Sequence, residues 1–251
     1  VAAAPDAGAL LARAATDVTV LVATIAATAG QDDRVATLLD PHDRAVLVAA
    51  AARHALDPGG VVPNAADELA AAVDAIRDSV PAGELVSLMP WLAMAEVDLA
   101  GLTGPPLPAI TVTLLRAMRA ALERIQIRGG DHPVVAGGFD LTDAAVPLAG
   151  AQSVRPTVLL AWMLGRPDLT PAAERDVHRR HLAAAMRFLR QLAVREPDLW
   201  AIRGPERAWG GLRSAPWDPR MPLAAQAMGL ITYAETLAAL EIAGPFGPPR
   251  P

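Results

Sequence analysis

The chain has 251 residues, a formal net charge of −5 and no cysteine. That length is enough to bury one substantial core. The missing thiol excludes disulfides, thiolate nucleophiles and cysteine metal sites together. All 22 basic residues are arginine, which also excludes lysine Schiff-base chemistry.

Alanine, leucine and valine dominate, while Phe and Tyr together number four; this mix favours helices over strands. Mean hydropathy is positive, yet charge or proline interrupts every long apolar stretch before the ~20 residues that a membrane span needs. An all-α chain without a membrane span is expected. In chain order, helices are expected at about 6–29, 32–39, 42–56, 64–79, 83–100, 108–127, 145–165, 171–195 and 222–242. The first holds the apolar stretch Val18 to Ala29, flanked by Arg13 and Asp17 before it and Asp32, Asp33 and Arg34 after it; it reads as a buried helix. Ahead of it, Val1-Ala2-Ala3-Ala4-Pro5 suits the start of an exported mature protein, the alternative being a cytoplasmic one.

Several boundaries carry their own chemistry. Asn64 precedes the acids Asp67 and Glu68, an N-cap followed by negative charge in the first turn. Thr170-Pro171 pairs a cap with proline at the first helical position, and Pro222 opens the last helix in the same way. Pro90 falls inside the fifth segment, where a kink or a break is expected. Gly165 and Gly244 read as helix stops.

Charge is uneven. Residues 1–150 carry 9 arginines against 18 acids, and residues 151–251 carry 13 against 9. The arginines of the basic half are interleaved with acids and no nucleic-acid motif accompanies them, so nucleic acid is not an expected partner.

Two connections, 128–144 and 196–221, are longer than the rest. Each holds a glycine pair followed by a large apolar residue, Gly137-Gly138-Phe139 and Gly210-Gly211-Leu212. Each then leads into Pro-Leu-Ala and a glutamine, Pro147-Leu148-Ala149 with Gln152 and Pro222-Leu223-Ala224 with Gln226. This reads as a degenerate repeat of loop plus helix, clearest at 134–165 and 208–242. Stacked helical hairpins within one domain, 1–251, are the expected product, because each hairpin must bury its apolar stripe on a neighbour.

The stretch from Trp209-Gly210-Gly211-Leu212-Arg213 through Trp217-Asp218 to Pro222-Leu223-Ala224-Ala225-Gln226 resembles the α/α-toroid repeats of the prenyltransferase and squalene-oxidase-repeat proteins, the terpenoid cyclase-like superfamily. The similarity covers about 134–241. It implies inner and outer helices alternating around a barrel, complete or incomplete, with Gly- and aromatic-rich loops between them. The chemistries of that superfamily need residues that this chain lacks. No Asp-x-Asp-Asp acid motif occurs, and neither Asp32-Asp33 nor Asp140-Leu141-Thr142-Asp143 replaces it. Without cysteine there is neither the family's Asp/Cys/His zinc site nor a thioester. The resemblance therefore implies a scaffold kept for binding, with no cofactor and no metal.

Four further patterns bear on function. Asp176-Val177-His178-Arg179-Arg180-His181 has metal-like spacing, but about 100° per residue turns Asp176 away from His178. His178 instead falls on the stripe of Leu182, Ala185, Leu189 and Leu192 and reads as a core or pocket histidine. On the last helix Gln226, Leu230, Tyr233 and Leu237 form a stripe whose polar groups bond the preceding loop or line a cavity. The segment from Glu196 to Met221 concentrates Trp200, Trp209 and Trp217 with Arg213 and Arg220, side chains able to stack on or grip a ligand. Trp209 or Trp217 is expected to pack against the start of the final helix, with Arg213 directed at a groove or a partner carboxylate. Asp131-His132 in the first glycine loop is a possible acid/base pair with no nucleophile motif beside it.

The leading expectation is a non-catalytic helical module binding an apolar small molecule or a protein, with Trp209, Arg213, Trp217, Asp218, Arg220, Gln226, Tyr233 and His178 as ligand-binding candidates. One alternative is a terpenoid-cyclase-like or glycan-processing enzyme using Asp140, Asp143 or Asp218. The other is a structural, oligomerising domain, which predicts an exposed apolar helix face.

Overall fold

A computed structural model of the chain describes residues 40–56, 65–81, 88, 90–103, 107, 109–130, 132–141, 146, 148–202 and 205–243. Among these residues the elements are α-helices and short 3-10 turns, and the only extended pairings are isolated bridges. The all-α expectation holds. The helices expected at 6–29 and 32–39 lie outside the described residues. The chain divides into two compact units, 1–112 and 113–251.

The first unit contains α1 (Pro41–Ala55), α2 (Ala65–Asp78) and α3 (Trp91–Thr103). Asp40 caps α1 by accepting the Asp43 amide at 2.8 Å, and Asp67 and Glu68 stand in the first turn of α2 as expected. Asn64 lies outside the described residues. Pro90 produces the break: α3 opens directly after it, with Met94 N–H donating to the Pro90 carbonyl at 2.9 Å. Leu92, Ala93 and Ala95 of α3 are buried together with Ala45, Val48 and Ala52 of α1 and Val73 and Ile76 of α2. Arg77 pairs with Glu96, which also accepts the Thr111 hydroxyl at 2.6 Å.

Helix α4 (Ala109–Ile125) begins in the first unit and continues into the second. The second unit adds α5 (Val154–Leu164), α6 (Arg175–Leu192), the one-turn α7 (Pro205–Ala208) and α8 (Leu223–Ala243). Arg119 meets Glu174, Glu123 meets His178 and Gln126 meets His181, each pair 55 residues apart. A constant offset along two helices requires that α4 and α6 run parallel and in register. Helices α5 and α8 also run in the same direction: at the start of α5 the Val154 carbonyl accepts from the Thr232 hydroxyl in the middle of α8 at 3.3 Å, and at the end of α5 a Cβ built on Gly165 would stand 3.4 Å from Cα of Ala239, further along α8. Within the unit, α5 packs against both α8 and α6. Phe139, Leu160, Leu164, Leu182, Ala185 and Ala239 fill one core between them, and Val154, Phe188, Leu189, Leu192 and Leu212 another.

Two helix starts differ from expectation. The helix expected over 145–165 begins with a 3-10 turn at Ala151–Ser153 and becomes α-helical at Val154. Gly150 is extended, and Ala151 N–H donates to the Ser214 carbonyl at 2.7 Å. The loop before α8 thus takes the amide that a helix would have used. The helix expected from Pro171 starts at Arg175, because the Thr170 hydroxyl donates to the Met163 carbonyl at 2.7 Å and caps nothing. Gly165 does end α5, and α8 starts after Pro222, as expected. Gly244 is outside the described residues.

Candidate functional site

Both glycine-pair loops fold back onto the helix before them through the same set of backbone bonds. After α4, Ile127 N–H donates to Gly138 O at 2.8 Å, Gly137 N–H to Ile127 O at 2.8 Å and Asp140 N–H to Ile125 O at 3.1 Å. After α6, Val194 N–H donates to Gly211 O at 2.8 Å, Gly210 N–H to Val194 O at 3.0 Å and Arg213 N–H to Leu192 O at 3.0 Å. Gly137 and Gly210 have φ of +93° and +75°, a conformation that glycine adopts without a Cβ penalty. The apolar residue after each pair is then held from the following helix. Phe139 N–H donates to Ser153 Oγ at 3.1 Å, and Leu212 N–H to Gln226 Oε1 at 2.7 Å. The partner of Gln226 in this role is Ser153, whereas Gln152, matched to it by sequence, bonds only the Leu148 carbonyl at 3.1 Å.

Several of the ligand-binding candidates are ties within the fold. Gln226 donates to the Leu212 carbonyl at 2.7 Å, so its amide grips Leu212 from both sides. Arg213 donates to the Gln191 carbonyl at 2.7 Å and the Leu192 carbonyl at 3.3 Å, with Asp198 3.9 Å away. A guanidinium on the last carbonyls of α6 satisfies acceptors that the helix leaves open. Asp218 accepts both the amide and the side chain of Arg220, which holds its carboxyl down at about 2. Asp143 and Asp131 lie outside the described residues. Trp200, Trp209 and Trp217 present 89%, 62% and 60% of their surface to solvent. Neither Trp209 nor Trp217 is buried on α8.

His178 is buried on the α6 stripe with Leu182, Ala185, Leu189 and Leu192, as its helical phase requires. It sits in a cluster that sequence reasoning missed. Its Nδ1 meets Glu123, and its Nε2 lies 3.3 Å from Glu174. The buried Arg119 donates to Thr170 Oγ1 at 2.9 Å, the Leu169 carbonyl at 3.2 Å and Glu174 at 2.9 Å. Burial pushes Glu123 up, but the hydrogen bond with His178 and the charges of His178, His181 and Arg119 outweigh it and leave its carboxyl below the usual range. Glu174 is lowered by its hydrogen bond with His178 first, and by Arg119. Burial lowers His181, whose Nδ1 lies 2.6 Å from Gln126 Oε1. The Gln126 NH2 donates to the Gly137 and His181 carbonyls at 3.0 and 2.9 Å. Its oxygen is therefore the end facing His181, and that imidazole carries its proton on Nδ1. The i, i+4 pairs Arg119/Glu123 and Glu174/His178 were the available signal. The cluster satisfies itself and clamps α4 to α6.

Elsewhere, Asp40, His42 and Asp43 at the start of α1 bring their donor atoms within 4.8 Å of one another. Asp40 is already committed to its capping bond.

The remaining feature is the outer face of α8. The buried residues of this helix are small or hydroxylic, Ala225, Gly229, Thr232, Thr236 and Ala239; Thr232 and Ala239 meet α5, Gly229 meets Leu212 and Thr236 meets Met186 of α6. Away from these stand Leu223, Leu230 and Leu237, exposed by 84%, 74% and 64%, with Tyr233 at 39%. The stripe expected to line a cavity or bond a loop is thus, beyond Gln226, an outward apolar face. Leu223–Glu241 is also the one helix among the described residues long and apolar enough, by length and composition only, to cross a membrane. Compared with protein-family models, curated proteins and solved structures, the chain matches none.

Proposed function

We propose that the chain is a non-catalytic helical module that docks a protein partner on the outward face of α8. One observation carries this reading: the helix is inverted, with Leu223, Leu230 and Leu237 in solvent and Ala225, Gly229, Thr232, Thr236 and Ala239 inside. Scattered exposed apolar residues are ordinary, but a continuous row of them marks a contact surface. Covering three leucines gains on the order of 5 kcal/mol, against which the cost of association is set. From Leu223 to Leu237 the row is about 21 Å long, a length that suits a protein surface better than an apolar small molecule. The exposed Trp209 and Trp217, just before α8, add the residue type most enriched in such contacts.

For the scaffold, an α/α toroid is our reading. It is supported by the packing of α5 against α6 and α8 and by the matching way in which the two glycine-pair loops are pinned. Helices beyond those of this unit would be needed to close a ring.

A photo-crosslinking residue placed at position 230 in the producing cell tests the docking reading, with one at the exposed Arg187 position as control. Discrete adducts of protein mass are expected from 230 and not from 187. No adduct from 230, or adducts with lipid alone, would defeat the proposal.

A further inference from the structure

We infer that the partner is a second copy of this chain, joined by antiparallel pairing of the two α8 helices about a two-fold axis at Leu230. The inference rests on the docking reading above and names its partner.

The outward row is Leu223, Ala227, Leu230, Ala234, Leu237 and Glu241, spaced alternately four and three apart. That is the period of a helix–helix seam, with leucine at one repeating position and alanine at the other. At about 100° per residue all six fall within a narrow stripe on the side away from α5. The row is symmetric: Leu223 and Leu237 each lie two turns from Leu230, one before it and one after. A two-fold axis through Leu230 sets that residue on its own copy and each Leu223 on the other copy's Leu237. The alanines let the two backbones approach closely.

Charge selects the direction. Among residues 221–243 the only charged ones are Glu235 and Glu241. Arg220, paired with Asp218 but with its side chain still 82% exposed, stands at the N-terminal end, and the exposed Glu241 stands at the C-terminal end. Antiparallel pairing brings Arg220 of one copy beside Glu241 of the other at both ends, and sets the two helix dipoles in opposition. Parallel pairing would place Glu241 on Glu241 and Arg220 on Arg220. The surface therefore complements itself in shape and charge under one operator, the isologous arrangement of a two-fold dimer.

The test uses the full chain. Sedimentation equilibrium is expected to give twice the 26.1 kDa of one chain. Leu230→Arg is expected to weaken the dimer by about 30-fold or more, with circular dichroism unchanged. Glu241→Arg is expected to weaken it about two- to fivefold, and Arg220→Glu added to it to restore the loss. Because the chain has no cysteine, Leu230→Cys introduces a single thiol and is expected to give a disulfide-linked dimer on oxidation. Leu223→Cys alone should not cross-link, while Leu223→Cys with Leu237→Cys should. Efficient cross-linking through Leu223→Cys alone would mean parallel pairing and overturn the inference. A dimer that survives Leu230→Arg would overturn it as well. So would a monomer at every concentration: protein adducts from position 230 in cells would then leave the docking reading standing with another partner. A monomer that binds phosphatidylglycerol vesicles through Leu230 would remove both readings in favour of a membrane surface.

Discussion

Gly137 and Gly210 occupy matching turns, but different constraints hold them there. Both have positive φ. A Cβ at Gly137 would stand 2.1 Å from the Ala184 carbonyl oxygen, in the backbone of α6, whereas a Cβ at Gly210 would meet nothing within 4 Å. Gly210→Ala therefore carries only the left-handed penalty, about 1 kcal/mol. Gly137→Ala also forces the first loop off α6 and is expected to cost at least about 2 kcal/mol more. Urea unfolding of the two variants measures the difference, and equal losses would contradict the close approach. Arg213 illustrates what was and was not legible at this scale. The density of tryptophan and arginine marked it as unusual, but its partners Gln191 and Leu192 lie more than 20 residues away in sequence. The spacing of a motif does not reveal which helix end will be short of donors.

At the scale of elements, proline and glycine punctuation located the helices because those residues act locally, as Pro90 and Gly165 do. Two starts moved because the amide of Ala151 and the hydroxyl of Thr170 found distant carbonyls. The orientation of α8 was not legible. Reading its stripe assumed that leucine turns inward, and a helix of leucine, alanine, threonine and glycine has no charged face to correct that assumption. What decides is the closeness of α5, which admits only small side chains and accepts the Thr232 hydroxyl. Overfilling that contact should be costly. Thr232→Leu is expected to lose about 1–3 kcal/mol in chemical denaturation. Leu230→Gln on the outer face should lose well under about 1 kcal/mol when measured on dilute, dissociated protein. The reverse order would mean that the inner and outer faces of α8 have been exchanged.

For the whole molecule, composition alone pointed to an all-α chain, and the glycine pairs marked the loops that fold back onto α4 and α6. The clamp between α4 and α6 stayed hidden because its partners are 55 residues apart and meet only once the two helices run parallel. That clamp sets how stability responds to pH. Glu123, Glu174 and His181 all titrate below their ordinary values of 4.5, 4.5 and 6.5. A group lowered in the folded state binds its proton more readily when unfolded, so its contribution is complete above the unfolded value and is lost as pH falls. His181 is held half-buried in its neutral form and should begin to erode stability as pH drops below about 6.5. The carboxylates should follow below about 4.5, with the larger part from Glu123, because Glu174 has a half-exposed side chain screened by solvent. The urea midpoint is therefore expected to hold between pH 8 and 7, sag gently towards pH 5 and fall steeply below that. Glu123→Gln removes the carboxylate that His178 and Arg119 stabilise. The variant should be less stable at pH 7 and should show a shallower fall below pH 4.5, with the His181 step retained. A wild-type midpoint that rises on acidification from pH 6.5 to 4 would mean that these groups are not held as the cluster requires, and an acid limb unchanged by Glu123→Gln would place the titrating carboxylates elsewhere.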